Sequence, residues 1–289
     1  MALSSKTLKT RIRSVRNIGK ITKAMELVSA TKMRRAVKAT LAARPYAAAA
    51  AETAAALAVK QNGGAIFFTP RSVIKKVTVV ILAGNRGLCG SFNTQVVAAA
   101  RNALRSRFGS ELPAISWIAV GKKGLALLTK SGEKVSAELV KADSLEKAEE
   151  FFALGRYLTK QFIDGEIDEV MLAYTDFRSV LKQTPKLKTI LPISSNLEAK
   201  LPSYKSMTEF MFEPNKTVVI NYLVPRLIET ELYQALLESN ASEEAARMMA
   251  MKNAAEAAGE LADDLILTGN QLRQAMITRE IAEIAAASN

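Results

Sequence analysis

The sequence predicts an α/β protein in which the N- and C-terminal helices form a long antiparallel coiled coil and an α/β domain is inserted between them. Both ends of the 289-residue chain are long tracts of helical composition, and the middle alternates between strand and helix patterns. The ends also carry opposite charge. Residues 1–44 contain 12 bases and one acid, whereas residues 213–289 contain 6 bases and 12 acids. Such an asymmetry concerns partners or pairing more than the fold itself.

Residues 1–62 are the first predicted element, a single helix rich in Ala, Lys, Arg, Met and Leu. Its stop is Gln61-Asn-Gly-Gly64. Apolar residues recur at spacings of three and four, which indicates one buried face: Leu8, Ile12, Val15, Ile18, Ile21, Met25 and Val28. At about 1.5 Å per residue the helix would be roughly 90 Å long, so it needs a partner along its course.

Residues 63–213 are the predicted inserted domain. Strand patterns occur at residues 76–83, 114–120, 135–140, 169–174 and 187–193, and helix patterns at residues 93–107, after residue 122 and at residues 145–163. Alternation of this kind predicts a mainly parallel, Rossmann-like α/β sheet.

Residues 214–289 are the second long helix. Its expected apolar set is Leu232, Leu236, Ala246, Ala250, Asn253, Ala257, Leu261, Leu265, Leu272 and Met276. An Ala-rich seam allows close approach to the first helix, and the acidic excess here is expected to complement the basic excess there.

The composition excludes most classical catalysis. The chain has no histidine, which removes His-based acid–base pairs, triads and zinc sites. A single cysteine, Cys89, excludes a disulfide and fits a reducing compartment. The longest charge-free stretch, residues 87–100, is too short and too polar to span a bilayer. We therefore expect a soluble intracellular protein with no catalytic residue, no metal and no cofactor.

A ridge of bases follows one side of the first helix at spacings of three and four: Lys6, Lys9, Arg13, Arg16, Lys20 and Lys23. Like charges at these spacings repel, so an acidic partner or a phosphate is favoured over a plain solvated face. Nucleic acid, an anionic membrane and an acidic protein surface are the alternatives. The absence of aromatic residues in the segment weakens the first two.

A glycine-rich loop, residues 84–91, follows a predicted strand and precedes a helix, where nucleotide phosphates often bind. Its spacing is GxxGxxG, and no GK[ST] is present. A tight turn with left-handed glycines is the favoured interpretation. A nucleophilic role for Cys89 is disfavoured because no histidine can act as its base.

Four blocks resemble the gamma subunit of the F-type ATP synthase. They are residues 11–34 (RIRSVRNIGKITKAMELVSATKMR), 86–93 (RGLCGSFN), 242–254 (SEEAARMMAMKNA) and 273–284 (RQAMITREIAEI). The resemblance covers the whole chain. Asn85 departs from the family pattern, because an Asp commonly precedes RGLCG.

The resemblance implies a central rotor shaft without activity of its own, present in one copy per complex. Its implied partners are the alpha and beta subunits of the catalytic ring, the epsilon subunit and the c-ring, with no nucleic acid and membrane contact only through the c-ring. Proton flow would turn the ring and the shaft, and the shaft would drive the nucleotide states of beta. The implied location is the cytoplasmic face of a bacterial inner membrane.

The same resemblance carries over two sets of contact residues. Those that match the surface facing beta are Lys20, Lys23, Met25, Lys32, Arg34, Arg35, Arg247, Arg273, Gln274 and Thr278. Those that match the contact with the c-ring and epsilon are Phe210, Phe212 and Glu213. The alternative function is a nucleotide- or nucleic-acid-binding α/β protein with a basic helical arm.

Overall fold

A computed structural model describes residues 5–59, 66–109, 111–142, 149–193 and 212–287. The chain divides into two compact units. We call residues 1–31 with 247–289 the two-helix unit, and residues 32–246 the α/β unit.

The predicted helices and strands are present where the chain is described. In chain order they are α1 (Ser5–Val59), β1 (Lys76–Leu82), α2 (Phe92–Phe108), β2 (Ala114–Val120), α3 (Lys122–Lys130), β3 (Val135–Leu139), α4 (Glu149–Ile163), β4 (Glu169–Phe177), β5 (Gln183–Leu191) and α5 (Lys216–Ala287). The predicted stop of α1 at residues 61–64 lies outside the described residues. The domain boundaries at residues 62/63 and 213/214 stay predictions.

The α/β unit is built on one five-stranded sheet with the order β3-β2-β1-β4-β5. Strands β1 to β4 pair in parallel, with β1 between β2 and β4. Each parallel pair needs a crossover, and α2, α3 and α4 provide them. Because the chain moves outward on one side of β1 and then crosses to the other side, the strand order reverses between β1 and β4.

Strand β5 is the antiparallel exception to the mainly parallel prediction. It pairs with β4 from Val170 opposite Leu191 to Phe177 opposite Gln183. A tight turn joins the two strands, in which the backbone N–H groups of Arg178 and Ser179 donate to the carbonyl of Lys182. The hairpin places the strand at residues 183–191, upstream of the predicted 187–193, because polar residues such as Thr184 and Lys186 extend the pairing with β4.

Two apolar layers cover the faces of the sheet. One contains Val79, Ile81 and Trp117 with α2 and α3. The other contains Val80, Leu82 and Leu172 with α4 and the first half of α5. Helix α5 contributes a residue at every fourth position to this second layer: Ile220, Val224, Ile228, Leu232 and Leu236.

The two-helix unit is an antiparallel helix pair. Val15 of α1 packs with Ala258, Ala262 and Leu265 of α5. A Cβ added at Gly19 would lie 3.4 Å from Cβ of Ala258, and one added at Gly269 would lie 2.9 Å from Cδ2 of Leu8. Because residue numbers rise on one helix as they fall on the other, the helices run in opposite directions, as predicted.

The expected apolar face of α1 is partly wrong. Leu8 and Val15 are buried, but Ile18, Ile21 and Val28 are more than half exposed. The next buried position of α1 after Val15 is Ser29, which is 2% exposed. Small residues occupy the seam because they let two helices approach closely, and this displaces the larger isoleucines to the surface.

The expected face of α5 is displaced in the same way. At the seam with α1 its buried residues are Ala258 and Ala262, one position away from the predicted Ala257 and Leu261, and Leu261 is 45% exposed. Alanine contributes little to a hydrophobicity pattern, so the larger neighbouring residues dominate the prediction.

Among the described residues, no helix is both long and apolar enough to cross a membrane.

Two glycines test the close approach of the helices. We expect Gly19→Leu to destabilise the full chain by about 1 to 3 kcal/mol, because the larger side chain meets Ala258 at the seam. Gly259→Leu is the matched control, since nothing lies within 4 Å of an added Cβ there. Better helix propensity should make that variant neutral or more stable by up to about 1 kcal/mol. Thermal unfolding followed by circular dichroism measures both, and equal effects would contradict the seam.

Candidate functional site

Helix α5 lies across the carboxyl-terminal edge of the parallel sheet. The hydroxyl of Ser239 donates to the carbonyl of Leu82 at 3.4 Å, and that of Ser242 to the carbonyl of Thr175 at 3.1 Å. The side-chain amide of Asn240 donates to the carbonyl of Ala142 at 2.9 Å. Ser239 and Ser242 are completely buried. The polar face of α5 therefore provides hydrogen-bond donors for backbone carbonyl groups at the strand ends and in the loop after β3.

A buried ion pair lies in the same contact. Nζ of Lys141, just after β3, is 2.8 Å from Oε2 of Glu243 and 3.1 Å from Oγ of Ser239. The Lys141 side chain is 1% exposed. Asn85 holds the backbone of this lysine from both sides: its Nδ2 donates to the Lys141 carbonyl at 2.8 Å and its Oδ1 accepts from the Lys141 N–H at 3.1 Å. An Asp at position 85 could accept but not donate, so the Asn found here makes one hydrogen bond that an Asp cannot.

The glycine-rich loop is closed on itself. The backbone N–H of Gly84 donates to Oδ1 of Asn93 at 2.7 Å, and Nδ2 of Asn93 donates to Sγ of Cys89 at 3.1 Å. The prediction of left-handed glycines is confirmed at Gly90, with φ +57°, but Gly84 and Gly87 do not have a positive φ. Leu88 is left-handed instead, at φ +62°. Cys89 is 1% exposed, so its thiol packs inside the loop.

The crevice beside this loop is occupied by the chain itself. A Cβ added at Gly84 would lie 2.7 Å from Oε1 of Glu243, so the glycine is needed for space and not for a positive φ. In open α/β sheets nucleotides bind at this edge, where the strand order reverses. Helix α5 fills that position, which removes the structural basis for the nucleotide-binding alternative.

Two carboxyl groups meet where β4 ends against α5. Asp176 accepts hydrogen bonds from Nε of Arg178 at 2.8 Å and from the ammonium of Lys186. It also accepts one from the carboxyl group of Glu238. Burial acts to raise the pKa of Asp176, but the hydrogen bonds from Lys186 and Glu238 outweigh it and hold that pKa below its usual value.

Glu238 is the member of the pair whose pKa is raised. Burial raises its pKa above the usual value, and the negative charge of Asp176 adds to the rise. A hydrogen bond from Nε2 of Gln234, 3.0 Å from Oε1, and the charge of Arg44 act in the opposite direction. Arg44 is 3.6 Å from the same carboxyl group and donates to the carbonyl of Phe177 at 2.8 Å. The pair, together with Arg44, therefore links α1, β4 and α5 within the α/β unit.

The opposite shifts of the two pKa values predict how stability depends on pH. The raised pKa of Glu238 means that its contribution is complete below its unfolded pKa of about 4.3 and is lost as pH rises through the folded pKa. The lowered pKa of Asp176 means that its contribution is lost as pH falls through its own folded pKa. We expect Glu238→Gln to keep a donor for Asp176 at every pH. The stability of this variant relative to the unmodified chain should therefore increase from about pH 4 towards neutrality.

Denaturant unfolding at a series of pH values measures this difference. Glu260→Gln, at an exposed position on α5, is the control for the loss of one negative charge. If the relative stability of Glu238→Gln decreased with rising pH, the raised pKa of Glu238 would be contradicted.

Helix α1 presents bases and apolar side chains together in the two-helix unit. Lys9, Arg13, Arg16 and Lys20 are exposed along one ridge. Lys23 pairs with Glu26 at 2.9 Å, and Met25 is half-buried. The exposed Ile18 and Ile21 lie on the side of α1 away from this ridge. This combination of charge and apolar area is typical of a surface that binds another protein.

The end of α5 is exposed on all sides. Residues 270–287 are all exposed, and their apolar side chains include Leu272, Met276, Ile277, Ile281 and Ile284. Arg273, Gln274 and Thr278 lie in the same stretch. An amphipathic helix end with five exposed large apolar residues needs a partner to cover it.

The other predicted contact residues have different environments. Lys32, Arg34 and Arg35 are exposed on the part of α1 that belongs to the α/β unit. Arg247 is 8% exposed and offers little surface to a partner. Phe212 packs against the core and Glu213 is exposed. Phe210 lies outside the described residues, and all these contacts stay predictions.

The residues that seat α5 were not among the predicted sites. Lys141 and Ser239 lie in no motif, and Ser242 begins the block at residues 242–254 without being marked there as a contact. The remaining sequence signal is that the two serines are three residues apart on the helix face that should be apolar. Across the described ranges, no group of three or more Cys, Asp or Glu residues is arranged to hold a metal ion.

Fold and surface together define a class: a helical-hairpin subunit of a larger assembly, with an inserted α/β unit whose ligand crevice is filled by its own helix. The family model described as ATP synthase matches residues 4–289. The ATP synthase gamma chain of Herpetosiphon aurantiacus is 40% identical, covering 98% of this chain and 97% of that one, and that of Chloroflexus aurantiacus is 38% identical with the same coverage. The chain belongs to the gamma-chain family of the ATP synthases.

Solved structures agree with this family. The chain superposes on the central stalk and c-ring structure of the Tetrahymena thermophila mitochondrial ATP synthase with a TM-score of 0.60 at 25% identity, covering 81% of this chain and 99% of that one. A chain of the Euglena gracilis mitochondrial enzyme shares the fold with a TM-score of 0.66 at 19% identity, covering 98% and 93%. The chain is therefore a central-stalk subunit of an ATP synthase.

Proposed function

We propose that this chain is the rotating shaft that couples proton flow through the c-ring to ATP synthesis and hydrolysis in the ring of alpha and beta subunits. It does so mechanically and has no catalytic residue of its own. One copy turns within each complex, in contact with alpha, beta, epsilon and the c-ring. Membrane contact is made only through the c-ring, at the cytoplasmic face of a bacterial inner membrane.

The observation that carries this proposal is the surface of the two long helices. The exposed apolar end of α5, residues 270–287, fits an apolar collar around a turning axis. A short apolar contact without fixed hydrogen bonds can hold an axis and still let it rotate, because hydrophobic contact is non-directional. Arg273, Gln274 and Thr278 lie in this stretch and are proposed to meet a loop of beta.

The exposed bases of α1 are proposed to face acidic loops of beta. Lys20, Lys23, Lys32, Arg34 and Arg35 present positive charge on an exposed helix surface, with Met25 beside them. Exposed charges steer and orient a moving partner without binding it tightly, because their interactions are screened by water and salt. This property suits a contact that must form and break in each rotation.

The opposite end of the shaft is proposed to meet epsilon and the c-ring. Phe210, Phe212 and Glu213 precede α5, and Glu213 is exposed there. Arg247 keeps its place among the proposed beta contacts only if binding exposes it, because it is buried within the chain.

Reconstitution tests the shaft directly. The full chain is mixed with purified alpha and beta subunits, and ATP hydrolysis is measured with and without it. We expect rapid hydrolysis only in the mixture that contains this chain, because the shaft organises the catalytic ring. Hydrolysis that is independent of the chain would contradict the proposal.

The base surface has its own test. We expect replacement of Lys20, Lys23, Arg34 and Arg35 by Ala to weaken the contact with beta and to lower ATP-driven proton pumping relative to ATP hydrolysis. Exposed ion pairs contribute about 0.2 to 1 kcal/mol each, so the four together should contribute about 1 to 4 kcal/mol.

The matched control removes the same charge from elsewhere. Lys130, Lys134, Lys160 and Lys182 are exposed positions in the α/β unit, and their replacement by Ala should leave the ratio of pumping to hydrolysis unchanged. Proton pumping by inverted membrane vesicles and phosphate release measure the ratio. An unchanged ratio in the first variant would exclude the base surface from coupling.

A further inference from the structure

Among the ion pairs of the described residues, the one that contains Lys141 has the most deeply buried base. Its side chain is 1% exposed, and its ammonium lies 2.8 Å from Oε2 of Glu243, 3.1 Å from Oγ of Ser239 and 5.4 Å from the ring centre of Phe92. A buried ammonium is costly unless an anion and hydrogen-bond acceptors surround it. The surroundings of Lys141 therefore form a place that requires negative charge.

The location of this place within the sheet is equally specific. Lys141 follows β3, and the loop that begins at Gly84 follows β1, so both lie at the carboxyl-terminal edge of the sheet. Strand order reverses between β1 and β4 at this edge, where open α/β sheets bind anionic ligands. Gly84 approaches the carboxylate of Glu243 so closely that an added Cβ would lie 2.7 Å from Oε1. Glycines approach bound phosphates in the same way in nucleotide-binding loops.

We propose that this crevice is an anion-binding site whose resident ligand is the carboxylate of Glu243. Helix α5 is held to the sheet by the same kinds of contact that hold a ligand. Lys141 provides the positive charge, and its ammonium also donates a hydrogen bond to Ser239. Gly84 has no side chain, which leaves room for the carboxylate. The site selects a small carboxylate or oxyanion. When Glu243 is shortened, the vacated space accepts a free anion of that class.

Chemical rescue tests the site in the full-length chain. Glu243→Ala removes a fragment with the composition of acetate, and the buried ammonium loses its anion. We expect the unfolding equilibrium to shift towards the unfolded state by at least about a hundredfold, as for other broken buried ion pairs. Acetate should then raise the thermal midpoint of this variant in a saturable manner, because it binds the folded state alone.

Three controls isolate the anion. Sodium chloride at equal ionic strength and acetamide, which has the shape of acetate but no charge, should not raise the midpoint of Glu243→Ala. Acetate should not affect the unmodified chain, whose site is filled. The double variant Lys141→Met with Glu243→Ala has no ammonium to bind and should not respond to acetate. Equal responses to acetate and acetamide, or rescue of the double variant, would overturn the proposal.

A double-mutant cycle covers the case in which Glu243→Ala does not fold with or without acetate. Glu243→Gln keeps the shape of the side chain, and Lys141→Met keeps most of the length of the lysine. We expect each single change to destabilise the chain and the double change to cost at least about tenfold less in the unfolding equilibrium than the two effects multiplied together. Independent effects of the two changes would show that the pair is not a ligand and its site, and would overturn the proposal.

Discussion

The contact between helix α5 and the carboxyl-terminal edge of the sheet is the interaction on which the α/β unit depends. Parallel strands end there with carbonyl groups that have no further strand partner. Ser239 and Ser242 donate to two of them, and Asn240 donates to the loop after β3. In nucleotide-binding relatives of this sheet type a ligand and its waters satisfy such an edge. Here helix α5 of the same chain provides these hydrogen bonds, and the edge of the sheet binds a helix in place of a ligand.

This use of the edge explains why α5 has two kinds of buried face. Its first half contributes Ile220, Val224 and Ile228 to the apolar layer on one side of the sheet, and then polar residues where it crosses the strand ends. In the two-helix unit the residues that pack against Val15 of α1 include two buried alanines, Ala258 and Ala262, which suit a helix partner at close range. A single 72-residue helix thus changes from aliphatic to polar to small residues as its neighbour changes from sheet face to sheet edge to helix.

The elements were predictable from the sequence, and their contacts were only partly so. Strands β1 and β2 are continuous apolar runs, which occur mainly in buried parallel strands, and their bounds followed from that pattern within one residue. The helical seam was misplaced, because alanine and serine at positions such as Ala258 and Ser29 carry almost no hydrophobicity signal. Small residues occupy a seam because they allow two helices to approach closely. A pattern of large apolar residues does not reveal where such a close approach occurs.

The candidate site escaped prediction for a different reason. Lys141 and Glu243 are 102 residues apart, and nothing in either local sequence marks them as a pair. The sequence marks Gly84 as part of a glycine-rich loop, but the loop pattern attributes the glycine to a left-handed backbone conformation. The cause is the proximity of Glu243, which only the tertiary structure reveals. Long-range ion pairs carry no periodicity, so single-sequence reasoning has no means of finding them.

The charge asymmetry of the chain has a different origin from the one that the sequence indicated. The acids of α5 were expected to complement the bases of α1, yet those in its first half pair mainly with the α/β unit: Glu229 with Arg156, Glu231 with Lys188, and Glu243 with Lys141. Among the ion pairs of the described residues, the one that joins these acids to α1 is between Glu238 and Arg44. Because these acids are engaged elsewhere, they cannot neutralise the exposed ridge of Lys9, Arg13, Arg16 and Lys20. The positive charge at the start of the chain is therefore directed outward, towards whatever surrounds the helix pair.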